Sequence, residues 1–227
     1  MKITKQELAI MIDHSLLRPN ATREQLAKLC EEAMEYRFKS VCVNPIHVAE
    51  AVQLLKGSQV LVCSVVGFPF GTHSHNTKAF ETEEVIQLGA QEIDMVIRVE
   101  ALKEGKDHGV LEDIQSVVEA AKGHPVKVIL ETCYLTGKEI IRGCKLSIEA
   151  GASFVKTSTG FAEAGAKVED VRLMRETVGK DFGVKAAGGI RTLEDALKMI
   201  EAGATRLGTS ASVAIIQQFD QNEKGGT

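Results

Sequence analysis

Along this chain short apolar runs alternate with amphipathic stretches at intervals of about 25 to 30 residues, the rhythm of repeated strand–helix units. The strand candidates are "AIMIDHSL" (9–16), "SVCVNP" (40–45), "VLVCSVVGF" (60–68), "EIDMVI" (92–97), "VKVILET" (126–132), "FVKTSTG" (154–160), "GVKAAGG" (183–189) and "TRLGTSA" (205–211). Between them lie helical patterns such as "TREQLAKLCEEAMEYR", "TKAFETEEVIQLG", "VLEDIQSVVEAAK" and "LEDALKMIEAG". Strands alternating with helices imply right-handed crossovers and a parallel sheet. The joints repeat as well: "LGAQEIDM", "AGASFVKT" and "AGATRLGT" each put Gly-Ala between a helix end and the next strand. Glycine there supplies the left-handed C-cap that turns the chain back. One repetitive α/β architecture is expected over 1–227, a single (β/α)8 TIM barrel with a loose tail from about 220; an open doubly wound sheet is the alternative.

Successive strand residues face opposite sides, so parity sorts outside from inside. Ile93, Met95 and Ile97 share one face and Asp94 takes the other. Val155 opposes Phe154, Lys156 and Ser158, while Val184 and Ala186 oppose Lys185. The apolar parity suits the helical layer outside a barrel, which leaves Lys156, Lys185 and Asp94 facing its interior, with Lys127 and Glu131 on the same parity. Barrel enzymes work at the C-terminal ends of their strands. Lys127 comes early in its strand and is expected at the opposite end. Two neighbouring interior lysines repel, and repulsion with desolvation is expected to lower the pKa of at least one. A neutral amine attacks carbonyls, so Schiff-base chemistry is one use of this pattern, with Asp94 offsetting charge and carrying protons. A buried structural ion-pair network is the other.

"AAGGIRT" (186–192) and "LGTSAS" (207–212) close the last two strand candidates and lead into helices. Free backbone N–H groups at a helix start favour an anion, and loops after strands 7 and 8 are where such barrels hold phosphate. The pair of motifs is a candidate phosphate site; the alternative is that Gly188 and Gly189 only make tight turns. No G-x-G-x-x-G or Walker-type motif is present, which argues against nucleotide cofactors. His73 and His75 lack a clear third ligand, so no metal is expected. Asp13 and His14 end the first strand and either face substrate or cap the turn, and Cys42 shares inward parity with Ser40 and Asn44.

Composition narrows the setting. The 227 residues are 44% hydrophobic and 26% charged, with a net charge of −4, so no basic face advertises nucleic acid. No run approaches the roughly 18 apolar residues of a membrane span, and the first residues lack a signal-peptide core. Five cysteines with no C-x-x-C spacing fit reduced thiols, and a soluble cytoplasmic protein is expected.

The motifs "IDHSLL", "VCVNP", "EIDMVI", "FVKTSTGF", "GVKAAGGIRT" and "RLGTSAS" occur in this order from about residue 10 to residue 216 and resemble the 2-deoxyribose-5-phosphate aldolase family. The resemblance implies a cofactor-free, metal-free class I aldolase that cleaves 2-deoxy-D-ribose 5-phosphate to acetaldehyde and D-glyceraldehyde 3-phosphate. It implies Lys156 as the Schiff-base nucleophile, with Lys185 and Asp94 as its proton-transfer partners. It further implies phosphate on Gly188, Gly189, Gly208 and Ser210, and Asp13 and Thr159 against the sugar. Homodimers or homotetramers are implied too. Two departures stand out: Phe161 occupies a position where some members carry a phosphate-binding lysine, and the only tyrosines, Tyr36 and Tyr134, leave no tail tyrosine. A different class I aldolase or transaldolase-like enzyme, and a silent sugar-phosphate-binding barrel, are the competing readings.

Overall fold

The structure is a computed structural model that describes residues 3–224. Eight strands pair in parallel and in chain order: β1 (Ile12–Leu16), β2 (Ser40–Val43), β3 (Leu61–Val66), β4 (Glu92–Val96), β5 (Val126–Ile129), β6 (Phe154–Lys156), β7 (Gly183–Ala187) and β8 (Arg206–Thr209). β8 pairs with β1, so the barrel is closed and the open-sheet alternative is excluded. The helices are α1 (Lys5–Ala9), α2 (Arg23–Tyr36), α3 (Val48–Leu54), α4 (His75–Gln87), α5 (Val99–Lys103), α6 (Asp107–Ala120), α7 (Gly137–Glu149), α8 (Val168–Val178), α9 (Leu193–Glu201) and α10 (Ser212–Lys224). α10 takes in part of the stretch expected as a loose tail, and 225–227 lie outside the described residues.

Most strands are shorter than their apolar runs. The first begins at Ile12 because Lys5–Ala9 is already helical, started by a capping box between Thr4 and Glu7, and buries Leu8 and Ala9. β6 ends at Lys156: the Thr157 N–H still donates to the Lys185 carbonyl at 3.0 Å, but the next pairing, with Ala187, is taken over by the Thr157 side chain. The Thr157 hydroxyl donates to the Ala187 carbonyl and accepts from the Ala187 N–H, each at 3.1 Å, replacing regular pairing with a side-chain staple.

The parity reading holds for the barrel wall. Ile93, Met95, Val155, Val184 and Ala186 are buried in the main apolar core, between strands and helices. The interior is different: a small patch of Cys42, Cys63 and Val65 shares it with a polar cluster. The end of β4 is fixed from outside as well. Lys78 of α4, fully buried, donates to the Val96 carbonyl at 2.8 Å and to Asp113 of α6 at 2.7 Å. Burying such a pair is costly, and Asp113 Oδ1 keeps no hydrogen-bond partner among the described residues, but the two Lys78 bonds tie α4 and α6 to the strand that carries Asp94. Gly67 (φ +61°) makes room for it, since a Cβ there would come within 2.8 Å of Lys78 Cε.

Candidate active site

Lys156 and Lys185 are register partners on β6 and β7. Both point inward, and both meet one oxygen of Asp94: Oδ2 accepts from Lys156 Nζ at 2.6 Å and from Lys185 Nζ at 2.7 Å. The other oxygen, Oδ1, accepts from Lys127 Nζ at 2.9 Å. Lys127 also reaches Glu92 at 2.7 Å. Arg206 then bridges Glu92, at 2.9 Å, and Asp13, at 2.7 Å. Asp13 completes the ring by accepting from Lys185 and from the Ser40 hydroxyl. Four cationic side chains (Lys127, Lys156, Lys185, Arg206) thus face three carboxylates (Asp13, Glu92, Asp94), all of them buried.

The electrostatics follow from this geometry. Burial alone would raise the Asp94 carboxyl, but the ammonium groups of Lys127, Lys156 and Lys185 outweigh it and hold Asp94 well below the usual carboxylate range. Asp13 is lowered in the same way, against burial, by Lys185, Lys127 and Arg206. Burial would depress Lys185, yet Asp13 and Asp94 outweigh it and push its pKa above the ordinary lysine value. The expectation that neighbouring lysines repel each other downward therefore fails at Lys185: its nearest charges are carboxylates.

Lys127 requires a second correction. It is not confined to the far end of the barrel but is the register partner of Asp94 and touches it. It also lies 3.4 Å from Cys63 Sγ. Cys42, Cys63 and Asp94 bring three potential metal donors together, but Lys127 already places an ammonium among them, and a cation there would be repelled. His75 faces Glu112 at 3.8 Å.

Above the network opens a cavity of about 330 Å³ at the C-terminal ends of β1, β6, β7 and β8. Lys156 reaches its lining, together with the expected Thr159, Gly188, Gly189, Gly208 and Ser210. Lys185, Asp94 and Asp13 do not line it; each is fully buried beneath. Gly188 and Gly189 adopt φ of +84° and +79°, a region open to glycine at little cost. At Gly208 a Cβ would lie 3.0 Å from Lys185 Cε, so the missing side chain lets Lys185 pass.

Glu131 is a site residue whose role parity did not reveal. It adopts a left-handed backbone (φ 55°) at the end of β5, a conformation that costs a non-glycine residue energy. Its buried carboxylate accepts from the Thr159 N–H at 3.1 Å and from the Thr159 hydroxyl, fixing the loop after β6. Burial pushes its pKa up.

A model described as DeoC/LacD family aldolase matches residues 8–218. The chain belongs to this aldolase family. It is 58% identical over 225 residues to the deoxyribose-phosphate aldolase of Carboxydothermus hydrogenoformans, covering 97% of this chain and 99% of that one. It is 57% identical to that of Bacillus cytotoxicus, covering 97% and 98%. The tetrameric deoxyribose phosphate aldolase structure from Aeropyrum pernix superposes with a TM-score of 0.90 at 34% identity, covering 96% and 93%.

The buried network gives this aldolase a definite response to pH. Asp94 and Asp13 have folded-state pKa values below the unfolded value of about 3.9, so their contribution is present above that pH and is lost as pH falls through the folded values. His14 is also lowered, by burial that outweighs its bond to Glu32 at 2.9 Å. A base held neutral in the fold loses stability as pH falls below its unfolded pKa of about 6.5. A thermal midpoint measured from pH 8 to pH 3 is expected to decline gently below about 6.5 and steeply below about 4. A midpoint that stays level down to pH 3 would contradict the assigned ion pairs.

Proposed function

We propose that this chain is a class I deoxyribose-phosphate aldolase, with Lys156 as the Schiff-base nucleophile and Lys185 and Asp94 as its proton-transfer partners. The observation that carries the assignment of roles is that Lys156 alone among the network cations faces the cavity. Its amine adds to C1 of the open-chain sugar, and the carbinolamine loses water to give a protonated imine. Lys185, held as an ammonium by Asp13 and Asp94, is assigned to donate, through the Asp94 carboxylate it shares with Lys156, the proton with which the hydroxyl leaves. The Lys185 amine left by that donation takes the C3 hydroxyl proton as the C2–C3 bond breaks, the electron pair moves into the iminium to form an enamine, and Lys185 holds the proton that later goes to C2. Glyceraldehyde 3-phosphate departs; protonation at C2 and hydrolysis release acetaldehyde and free Lys156. Proton transfers of this kind are typically worth about 10²–10⁴-fold each.

The charge count supports Lys156 as the cation the network can spare: Lys127, Lys185 and Arg206 by themselves match Asp13, Glu92 and Asp94 in number. The phosphate is assigned to the backbone around Gly188, Gly189, Gly208 and Ser210, and Thr159 to the sugar. Asp13, without access to the cavity, is assigned to holding Lys185 rather than to substrate. A homodimer or homotetramer acting in the cytoplasm on small phosphorylated sugars and aldehydes completes the reading, without nucleic acid or membrane partners. No described helix is long and apolar enough to cross a membrane.

Borohydride reduction in the presence of deoxyribose 5-phosphate, followed by peptide mass spectrometry, is expected to give one stable adduct, on Lys156. An adduct on Lys185 would reverse the two lysines, and no adduct on folded protein would sink the Schiff-base assignment.

A further inference from the structure

The cavity that holds Lys156 is lined by two further cations, Arg18 and Arg191, and by no carboxylate. Among the described residues neither guanidinium has an ion-pair or hydrogen-bond partner. Both side chains are exposed, whereas the buried Arg206 is engaged by Asp13 and Glu92. Phe161, at the same cavity, presents a ring that packs edge-on against Phe68 with centroids 5.4 Å apart, and so offers no charge. The backbone glycines can donate hydrogen bonds but cannot neutralise a dianion.

Building on the aldolase reading, we propose that Arg18 is a specificity-determining residue that clamps the phosphate of a phosphomonoester substrate from the β1 side, next to the glycine loop of β8, the strand with which β1 pairs. The backbone that presents it is unusually well tied for a loop. Leu17, the preceding residue, packs its side chain against Cys42, Cys63 and Val65, while its carbonyl accepts from Asn44 Nδ2 at 3.1 Å. On the other side the Arg18 carbonyl accepts from Ala21 N–H at 3.1 Å, and Pro19 restricts the turn between them. The exposed side chain is therefore mobile only beyond a fixed root, and its planar fork suits two phosphate oxygens at once. Gly189 faces open space across the cavity, which leaves room for the phosphate between the two walls.

The test compares kcat/KM for 2-deoxyribose 5-phosphate with kcat/KM for unphosphorylated 2-deoxyribose in the wild type, Arg18→Gln and Arg18→Lys. It is joined by calorimetric titration with inorganic phosphate. A charge-assisted contact predicts that the phosphate-to-sugar ratio falls about 10- to 100-fold in Arg18→Gln, that inorganic phosphate binds weaker by the same order, and that Arg18→Lys restores part of both. The wild-type KM for the phosphorylated substrate should also rise more steeply with salt than that of Arg18→Gln. A ratio or a phosphate affinity that changes less than twofold overturns the assignment. A wild-type enzyme that cleaves neither sugar would sink the aldolase reading instead, and the phosphate titration would then decide Arg18 alone.

Discussion

Asp94→Asn is expected to cost about 3–5 kcal/mol of folding free energy and, in whatever fraction folds, about 10²–10⁴-fold in kcat. Both effects have one source. Asp94 accepts from Lys127 on one oxygen and from Lys156 and Lys185 on the other, and it has no contact with solvent. An amide keeps the shape but removes the charge, so three ammonium groups lose their common counter-ion in a region from which water is excluded. Asparagine's NH₂ would moreover point a donor at groups that are themselves donors. The barrel can respond by neutralising a lysine or by opening, and either response disturbs the proton path between Lys185 and Lys156. Urea unfolding read beside steady-state kinetics checks the two losses together. Full activity in Asp94→Asn would mean that the carboxylate is no part of proton transfer, and unchanged stability would mean that the lysines it faces are not charged.

Much of this site was legible in sequence because period-2 alternation is a strong constraint on a strand with one apolar face. Asp94, Lys156 and Lys185 could be placed on one wall from the residues beside them, and the glycine loops could be placed by their position after the last two strands. Lys127 could not, because height within a tilted barrel depends on register between strands and not on distance from a strand's start. The pairing Asp94↔Lys127 puts the second residue of β5 level with the middle of β4. The same register brings in Glu92 and Arg206, whose side chains look like ordinary strand-edge charges until the barrel closes around them. The direction of the Lys185 shift needed Asp13, which lies 172 positions away in the chain. Alternation put Glu131 on the inward side but gave no sign of its hold on Thr159, which rests on a left-handed backbone; Arg18 sits where a strand ends and a loop begins, and only the cavity lining marks it.

The sharper contrast is between the two lysines. Lys156→Met and Lys185→Met are both expected to abolish turnover, the first by on the order of 10⁴–10⁶-fold as the nucleophile is lost. Their effects on folding should differ. Lys185 is fully buried between Asp13 and Asp94, and its removal leaves two carboxylates without their nearest cation, at a cost of about 3–5 kcal/mol. Lys156 is the cation in excess: without it Asp94 still accepts from Lys127 and Lys185, and Asp13 and Glu92 keep all their partners. Its methionine replacement keeps the apolar stem and is one atom shorter, lies at the floor of the cavity and should alter stability by no more than about 1 kcal/mol in either direction. Chemical unfolding of the two variants under one buffer decides the matter. Equal destabilisation would mean that the Lys156–Asp94 pair supports the fold as much as the Lys185 pairs do, and the reading of Lys156 as the cation the network can spare would have to be abandoned.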